Sequence, residues 1–282
     1  MGREMQRVAR EQLRDEEFFF TDVAELDITD PEAVSAFVRR HAVDVIVNCA
    51  AYTNVDRAED DEACARLLNA TAAGYLAAAA KEQGALLIHV STDYVFGGQG
   101  NVPYAEEVPA HPLGAYGRTK REGEEAIAAS GCRSIILRTA WLYSVHGHNF
   151  VKTMRRLMRE REMISVVFDQ VGSPTYAGDL ADAIGRIMMA HPTQEQLGIY
   201  HFTNEGVCSW YDFAEAIRVM SGFACEVQPC HSSEFPCKVT RPAFSVLDKS
   251  KIRRVFGISP SHWLKSLAPC IAALQKMEQS EA

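Results

Sequence analysis

The feature that most constrains the fold is a regular alternation of short apolar runs with longer amphipathic segments. Apolar runs at residues 43–48, 85–90 and 134–138 predict buried strands, and the segments between them have the spacing of helices. Such runs, separated by helices, are typical of parallel strands that are covered on both faces. We therefore predict an α/β fold with a doubly wound parallel sheet.

The amino-terminal residues predict a Rossmann-like version of this sheet. Residues 2–13 predict a helix, and residues 18–22 predict a strand that ends in an acid. In Rossmann-like folds a first strand leads into a glycine-rich turn, and a ribose-binding acid follows about 20 residues later. Gly2 fits the last glycine of this turn and Asp22 fits the acid. We thus expect an amino-terminally truncated chain with its first strand missing; alternatively, Gly2 is simply the residue after the initiator methionine.

The predicted elements fall into two groups along the chain. We expect a dinucleotide-binding domain at 1–145 and 174–204, and a smaller α+β substrate-binding lobe at 146–173 and 205–282. Pro269 is expected to interrupt the last helical stretch. Thr29 and Asp30 are N-cap candidates with Pro31 at the first helical position, which predicts a helix that begins there. Further helices are predicted at residues 60–83, 116–131, 148–161, 176–190 and 210–220.

Composition excludes several classes of function. A net charge of -8 argues against nucleic acid as a partner. No apolar run is long enough to span a bilayer and no signal peptide is evident, so we expect a cytoplasmic protein without membrane contact. Its eight cysteines are then expected as reduced thiols. Cys225, Cys230 and Cys237 lack a C-x-x-C pair, so we expect no zinc there.

The candidate chemistry lies at a strand end and on the helix that follows. Thr92 and Asp93 come directly after the strand predicted at 85–90, at the sheet edge where open α/β folds bind ligands. Tyr116 and Lys120 are four residues apart and so share one helix face. An ammonium group beside a phenol lowers the pKa of the phenol, which suits a proton donor. We predict a hydride-transfer site built from these four residues.

Five longer strings narrow this prediction. Y-x-x-x-K after a dinucleotide-binding sheet is typical of short-chain dehydrogenases/reductases. The further strings occur in the order NCAAYTNVDRAE (48–59), STDYVF (91–96), DQVGSPT (169–175), CSWYDFA (208–214) and RPAFS (241–245). Together they closely resemble the dTDP-4-dehydrorhamnose reductase family over nearly the whole chain. The resemblance implies NAD(P)H-dependent reduction of the C4 ketone of dTDP-4-dehydro-L-rhamnose to dTDP-L-rhamnose, a small-molecule nucleotide sugar.

The resemblance also carries residue roles onto matching positions. It implies that Tyr116 donates the proton, that Lys120 holds the nicotinamide ribose, and that Thr92 and Asp93 bind the sugar near the ketone. The expected cofactor-binding positions are Gly2, Asp22, Asp27, Ile28, Ala51, Tyr52, Thr53, Val90, Tyr116 and Lys120. The expected substrate-binding positions are Thr92, Asp93, Trp141, Asn149, Lys152 and Arg241. Asp22 favours NADH over NADPH, because a carboxylate repels the 2′-phosphate, but the family uses both.

Each residue has a plainer alternative. Tyr116 and Lys120 could form a surface pair, Thr92 and Asp93 could be turn residues, and Trp141 could be a core residue. Lys152 and its basic neighbours could form a solvated helix face, and Arg241 could form a structural ion pair. Glu4 matches a position where some relatives hold Mg²⁺ at a homodimer interface; the alternative is a solvated glutamate on a helix.

Two other functions are compatible with the same fold. A sugar-nucleotide epimerase or dehydratase shares Y-x-x-x-K but returns its NAD unchanged. A non-catalytic binding protein, similar to the regulatory subunit of methionine adenosyltransferase, would not require the full set of four site residues. We favour the reductase, because the strings at 169–175 and 208–214 argue against the first and the intact site argues against the second.

Overall fold

The computed structural model describes residues 1–235 and 238–281, so Cys237 lies outside the described residues. Between residues 45 and 139 its strands alternate with helices, as the sequence predicts. The helices and strands are α1 (Gly2–Gln12), α2 (Pro31–Arg40), β1 (Val45–Asn48), α3 (Val55–Ala58), α4 (Glu62–Arg66), α5 (Ala72–Gln83), β2 (Leu86–Thr92), α6 (Ala115–Ser130), β3 (Arg133–Thr139), β4 (Leu142–Tyr143), α7 (Phe150–Glu160), β5 (Met163–Val167), β6 (Val171–Gly172), β7 (Thr175–Tyr176), α8 (Ala177–Met189), β8 (Gly198–His201), β9 (Cys208–Ser209), α9 (Trp210–Ser221), β10 (Glu226–Cys230), α10 (Ser250–Phe256) and α11 (Trp263–Glu281).

A parallel sheet with the strand order β1-β2-β3-β8 forms the centre of the described chain. Successive residues of β2 face opposite sides of it. Leu86 and Ile88 pack with α1 and α8, whereas Leu87 packs with α2, α5 and α6. The predicted doubly wound sheet, covered on both faces, is therefore confirmed. Its register places Thr92 beside Thr139, so β2 and β3 end together at the carboxyl edge.

The strand predicted at residues 18–22 is wrong. A strand needs a hydrogen-bonded neighbour, and within the described residues β1 is the outermost strand on that side of the sheet. The three phenylalanines instead contact aromatic rings. Phe18 stacks on Phe20 with the ring centroids 5.6 Å apart, and Phe19 lies 4.2 Å from the ring of His41 at the end of α2.

The long helix predicted at 60–83 is not uniform. It begins at Glu62, where the side chain of Asp61 accepts a hydrogen bond from the backbone of Cys64, and Leu67–Thr71 adopts π-helical geometry. Asn69, in this π segment, is 1% exposed. A π segment inserted in an α-helix widens one turn and often accompanies a functional site.

A second hydrophobic core lies beside the sheet. It contains side chains from α7, α9 and α11, together with the parallel pair of β5 and β10. Pro269 lies inside α11 without ending it, so the predicted interruption is wrong. Buried Leu267, Cys270 and Ile271 on either side anchor the helix and outweigh the lost backbone hydrogen bond. The domain boundaries at 145, 173 and 204 stay predictions.

The structure bears on two expectations drawn from composition, those on membrane spans and on cysteines. In the described part of the chain, no helix is both long and apolar enough to cross a bilayer. The described cysteines all carry free thiols.

Candidate active site

The turn after β2 fixes the first two site residues. The hydroxyl of Thr92 accepts a hydrogen bond from the backbone N–H of Tyr94 at 3.2 Å, and so caps the short 3₁₀ turn that follows the strand. The same hydroxyl donates to Oδ1 of Asp93 at 3.1 Å. Both residues are buried at the carboxyl end of the sheet, where the sequence predicts them. Thr92 is therefore a turn residue, and its position at the sheet edge also suits a site residue.

Helix α6 presents Tyr116 and Lys120 to this turn. Its N-cap, Gly114, has no side chain, and a carboxylate from the end of α3 replaces it: Glu59 accepts from the backbone N–H of Ala115 at 2.6 Å. Gly117 lets the helix approach the turn closely, because a Cβ atom there would lie 2.2 Å from the carbonyl oxygen of Tyr94. The position of Tyr116 therefore depends on Glu59 and Gly117, neither of which has a proposed role in the reaction.

Tyr116 faces both strand-end residues. Its ring packs edge-on against Tyr94, with the centroids 5.5 Å apart. Burial raises the pKa of Tyr116 to about 12; a hydrogen bond with Thr92 lowers it, and the charge of Asp93 raises it. The predicted lowering by Lys120 is wrong for this structure, because the amine of Lys120 is bonded elsewhere.

Lys120 lies one turn further along α6 and is 1% exposed, which excludes the surface-pair alternative. Its Nζ donates to the carbonyl oxygen of Val90 at 2.7 Å and lies 3.0 Å from Nε2 of His89. Burial lowers the pKa of Lys120 to about 8, although Glu124 and Cys49 act to raise it. A lysine with a pKa so near neutrality can change its charge as the site is filled.

Asp93 has one carboxylate oxygen, Oδ2, that is buried and has no hydrogen-bond partner among the described residues. Burial raises the pKa of Asp93 to about 7, although the nearby hydroxyls of Thr92 and Ser245 lower it. Buried polar atoms are rarely left without a partner unless a ligand or water supplies one. The Asp93 carboxyl is therefore a candidate contact for substrate.

A buried ion pair supports α6 behind the site. Arg138 on β3 donates two hydrogen bonds to Glu124, at 2.9 and 2.7 Å, and both side chains are 1% exposed. Ser91 also donates to Glu124, at 2.7 Å. Burial alone would raise the pKa of Glu124, but the hydrogen bonds and charge of Arg138 outweigh it and hold that pKa below its usual range. Tyr116, Lys120 and Glu124 thus occupy successive turns of one helix face.

The expected cofactor residues fall into two sets. The charge of the terminal amino group of Met1 acts on Cys49, which directly follows β1, so the amino end of α1, with Gly2, lies near the carboxyl edge of the sheet. Tyr52 is held by Asn69, whose amide bonds both the N–H and the carbonyl of Tyr52 and also the hydroxyl of Thr119 on α6. Ala51 and Tyr52 are partly buried in this loop and Thr53 is exposed.

The residues expected on the adenosine side lie in the loop between residues 21 and 30. Asp22 and Asp27 are exposed there, and Ile28 is partly buried against the α2–α5 core. Asp27 accepts from both the backbone N–H and the hydroxyl of Thr29, and these bonds lower its pKa. The structure brings neither Asp22 nor Asp27 into hydrogen-bond contact with the residues around Lys120.

Trp141, one of the expected substrate-binding residues, packs against a second tryptophan. Trp141 stacks on Trp210 with the ring centroids 3.5 Å apart. Trp141 is only partly buried, so it is not a fully enclosed core residue. Trp141 adopts a left-handed backbone with φ of 49°, a strained conformation for a bulky residue. A Cβ on Gly172 would lie 2.7 Å from both the Trp141 ring and the Ser245 hydroxyl, so these three residues meet closely.

The other three expected substrate-binding residues, Asn149, Lys152 and Arg241, lie in different environments. The amide of Asn149 caps α7 and donates to the carbonyl oxygen of Ser144 at 2.7 Å, which gives it a structural role. Lys152 is exposed and lines a groove of about 480 Å³ with its basic neighbours on α7. Arg241 forms an ion pair with Asp56 at 3.3 Å, as its structural alternative predicts.

Glu4 is not the solvated glutamate of the plainer alternative, since it is 3% exposed. One of its carboxylate oxygens accepts from the hydroxyl of Ser144 at 2.7 Å, and the other lies 3.5 Å from Nε of Arg7. Because both oxygens are engaged within the chain, the geometry gives no support to Mg²⁺ at this position. The homodimer stays a prediction.

Several residues that contact the candidate site residues were not predicted from the sequence. Glu59, Trp210 and Ser245 all lie inside the strings that carried the resemblance, so the strings could have identified them. His89 had a different signal: it is a polar residue in an otherwise apolar strand, and buried polar groups need partners.

Comparison with known proteins shows the family of the chain. A family model described as the RmlD substrate binding domain matches residues 1–276. A dTDP-4-dehydrorhamnose reductase from Aggregatibacter actinomycetemcomitans is 42% identical over 87% of this chain and 86% of its own length. A protein from Streptomyces antibioticus named probable dTDP-4,6-dihydroxy-2-methyloxan-3-one 4-ketoreductase is 44% identical over 92% of this chain and 87% of its own length.

A solved structure is similar as well. The crystal structure of a dTDP-4-dehydrorhamnose reductase from Bacillus anthracis in complex with NADP has a TM-score of 0.90 and 35% identity, and covers 95% of this chain and 94% of that one. The resemblance inferred from the five sequence strings is confirmed. The chain belongs to the dTDP-4-dehydrorhamnose reductase family, which is described by the RmlD substrate binding domain.

Proposed function

We propose that this chain uses NADPH or NADH to reduce the C4 ketone of dTDP-4-dehydro-L-rhamnose to dTDP-L-rhamnose, with Tyr116 as the proton donor. The observation that carries the proposal is the convergence of Tyr116 with Thr92 and Asp93 at the carboxyl end of β2, with Lys120 one helical turn behind. The activities named for the relatives support the substrate class.

The site has features that fit a nicotinamide dinucleotide. The amino end of α1 lies near Cys49, which follows β1, and a Cβ on Gly2 would meet no atom within 4 Å. Open space at a helix amino terminus suits a diphosphate, because the exposed N–H groups and the helix dipole favour anions. Lys120 supplies a donor for the ribose. When bound, the cofactor supplies the hydride to the C4 carbon.

The chain's own residues handle the proton. With a pKa of about 12, Tyr116 is a neutral phenol near pH 7 and can donate its proton to the oxygen that becomes negative at C4. Thr92 and Asp93 lie beside it, where they can bond the same oxygen or its neighbour on the sugar. With the cofactor bound, a Lys120 that has taken up a proton would stabilise the phenolate that Tyr116 becomes.

The two tryptophans give the proposed sugar site its shape. We assign Trp141 to the wall of that site and Trp210 to its support, because the rings stack at 3.5 Å in nearly parallel planes. The proposal does not include Asn149, whose amide is occupied by the cap of α7. Arg241 forms an ion pair with Asp56, and the proposal gives it no role toward the substrate.

The test is a nicotinamide absorbance assay with dTDP-4-dehydro-L-rhamnose and each cofactor in turn. We expect one equivalent of NADPH or NADH to be oxidised for each ketosugar reduced. The ketosugar in the name of the Streptomyces relative serves as a second substrate. The ketosugar that is reduced with the higher kcat/KM shows which of the two reductase activities the chain has. Conversion without net cofactor oxidation would point to an epimerase or dehydratase. Ligand binding without turnover of either ketosugar would point to a binding protein; both outcomes contradict the proposal.

A further inference from the structure

A buried chain of hydrogen bonds connects Lys120 to the loop that follows β1. The backbone N–H of Ala50 donates to Oδ1 of Asn48 at 3.0 Å. The other end of that amide, Nδ2, lies 3.0 Å from Nδ1 of His89, and the opposite ring nitrogen lies 3.0 Å from Nζ of Lys120. Asn48, His89 and Lys120 are 4%, 1% and 1% exposed, so water cannot readily replace any of these bonds.

The chemistry of these atoms permits one consistent set of protons. Because Oδ1 of Asn48 accepts from Ala50, the atom that faces His89 is the amide nitrogen, which only donates. Nδ1 of His89 must then accept, so the neutral ring carries its proton on Nε2. That N–H points at Lys120, and the bond is satisfied when Nζ offers a lone pair, as a neutral amine does and an ammonium does not.

From this geometry we infer that His89 is a positioning residue: through Asn48 it holds Lys120 as a neutral amine in the cofactor-free site. A neutral amine still has a hydrogen for the carbonyl oxygen of Val90, which lies at 2.7 Å. A protonated Lys120 would need a lone pair on Nε2 of His89. That would place the ring proton on Nδ1, against the amide of Asn48, and would require this amide to turn away from Ala50.

Other groups around Lys120 act in both directions. Glu124, one turn along α6, and Cys49, in the loop after β1, both favour the charged form, but Glu124 is bonded to Arg138. The terminal amino group of Met1 acts on Cys49 in turn. Burial opposes the charge on Lys120 and brings its pKa to about 8, and burial also keeps the pKa of His89 well below its ordinary value. A neutral His89 beside a readily deprotonated Lys120 agrees with the proton pattern.

This coupling links the cofactor loop to the charge of Lys120. Ala50 directly precedes Ala51 and Tyr52, the loop residues expected at the cofactor. If the loop shifts when a dinucleotide binds, the amide of Asn48 is free to turn, and the tautomer of His89 and the charge of Lys120 can change together. Lys120 would then take up a proton as it meets the ribose. This second step rests on the proposed function, whereas the tautomer in the cofactor-free chain does not.

The tautomer can be measured without any activity. Nitrogen NMR of protein labelled in its histidine rings distinguishes a protonated from an unprotonated ring nitrogen. The His89 signals are assigned by their loss in His89→Gln. We expect the wild-type ring to carry its proton on Nε2 near pH 9, where Lys120, with its pKa of about 8, is mostly neutral. A proton on Nδ1, or on both nitrogens, would overturn the inference whether or not the chain is a reductase.

Asn48→Asp reverses the pattern at nearly constant shape, because a carboxylate can accept from both Ala50 and Nδ1 of His89. We expect the ring proton to move to Nδ1 in this variant; a proton that stays on Nε2 contradicts the coupling.

Calorimetry of NADPH binding in buffers of different ionisation enthalpy tests the second step, in which Lys120 takes up a proton when the dinucleotide binds. We expect wild-type protein to take up a substantial fraction of one proton near pH 8, and Asn48→Asp to take up far less. Equal uptake refutes the second step, and absence of binding of both NADPH and NADH refutes the proposed function alone.

Discussion

The close approach of α6 to the turn after β2 can be tested by adding one methyl group. In Gly117→Ala the new Cβ would lie 2.2 Å from the carbonyl oxygen of Tyr94, and real Cβ contacts are essentially never below 3.0 Å. The helix and the turn must therefore separate by about 0.8 Å, which moves Tyr116 relative to Thr92. A displacement near 1 Å in a catalytic group costs about 10²-fold in rate.

The effect on stability should be smaller than the effect on rate. Overpacking costs about 1–3 kcal/mol, but alanine in a helix regains up to about 1 kcal/mol over glycine. We expect kcat of Gly117→Ala to fall about 10²-fold while the free energy of unfolding in urea falls by about 0–2 kcal/mol. Gly74→Ala is the matched control, because its Cβ would meet Ala126 at an ordinary 3.5 Å. Wild-type turnover in Gly117→Ala would refute the argument.

Two further predictions concern buried charge. Glu124→Gln removes one partner of the buried pair and leaves Arg138 without a counter-charge, so urea titration should show a loss of about 3–5 kcal/mol; unchanged stability would contradict the role of the pair. Asp93, with its pKa raised to about 7 by burial, keeps a proton in the folded state that the unfolded chain releases near pH 4. The free energy of unfolding should thus fall as pH rises from about 4 to about 7. Asp93→Asn should remove this part of the pH dependence, and an identical slope in the variant would count against it.

Local patterns predicted most of the sheet and its covering helices. The strands at β1, β2 and β3 were evident from apolar runs, and α2 from Asp30 as N-cap with Pro31 at the first helical position. Residues 18–22 carry a strand-like composition but pair with no strand in the described chain. Strand formation depends on a neighbour that local composition does not specify. Pro269 shows the reverse case, in which tertiary burial overrides a local helix breaker.

The arrangement of the candidate site was predictable where chemistry and spacing coincide. A strand end and an i, i+4 pair determine where side chains point, so the sequence could place Thr92 and Asp93 near Tyr116 and Lys120. Their electrostatics were not predictable, because the pKa of Tyr116 depends on burial and on where the amine of Lys120 is bonded. Contacts between distant segments, such as Glu59 with the start of α6, depend on the folded topology and have no local pattern.

The central claim is that Tyr116 supplies the proton for reduction at C4, and Tyr116→Phe tests it most directly. The variant keeps the ring that packs against Tyr94 and removes only the hydroxyl. We expect NADPH to bind with nearly wild-type affinity while kcat for dTDP-4-dehydro-L-rhamnose falls by about 10²–10⁴-fold. A kcat within a few-fold of wild type would contradict the assignment of Tyr116 as the proton donor.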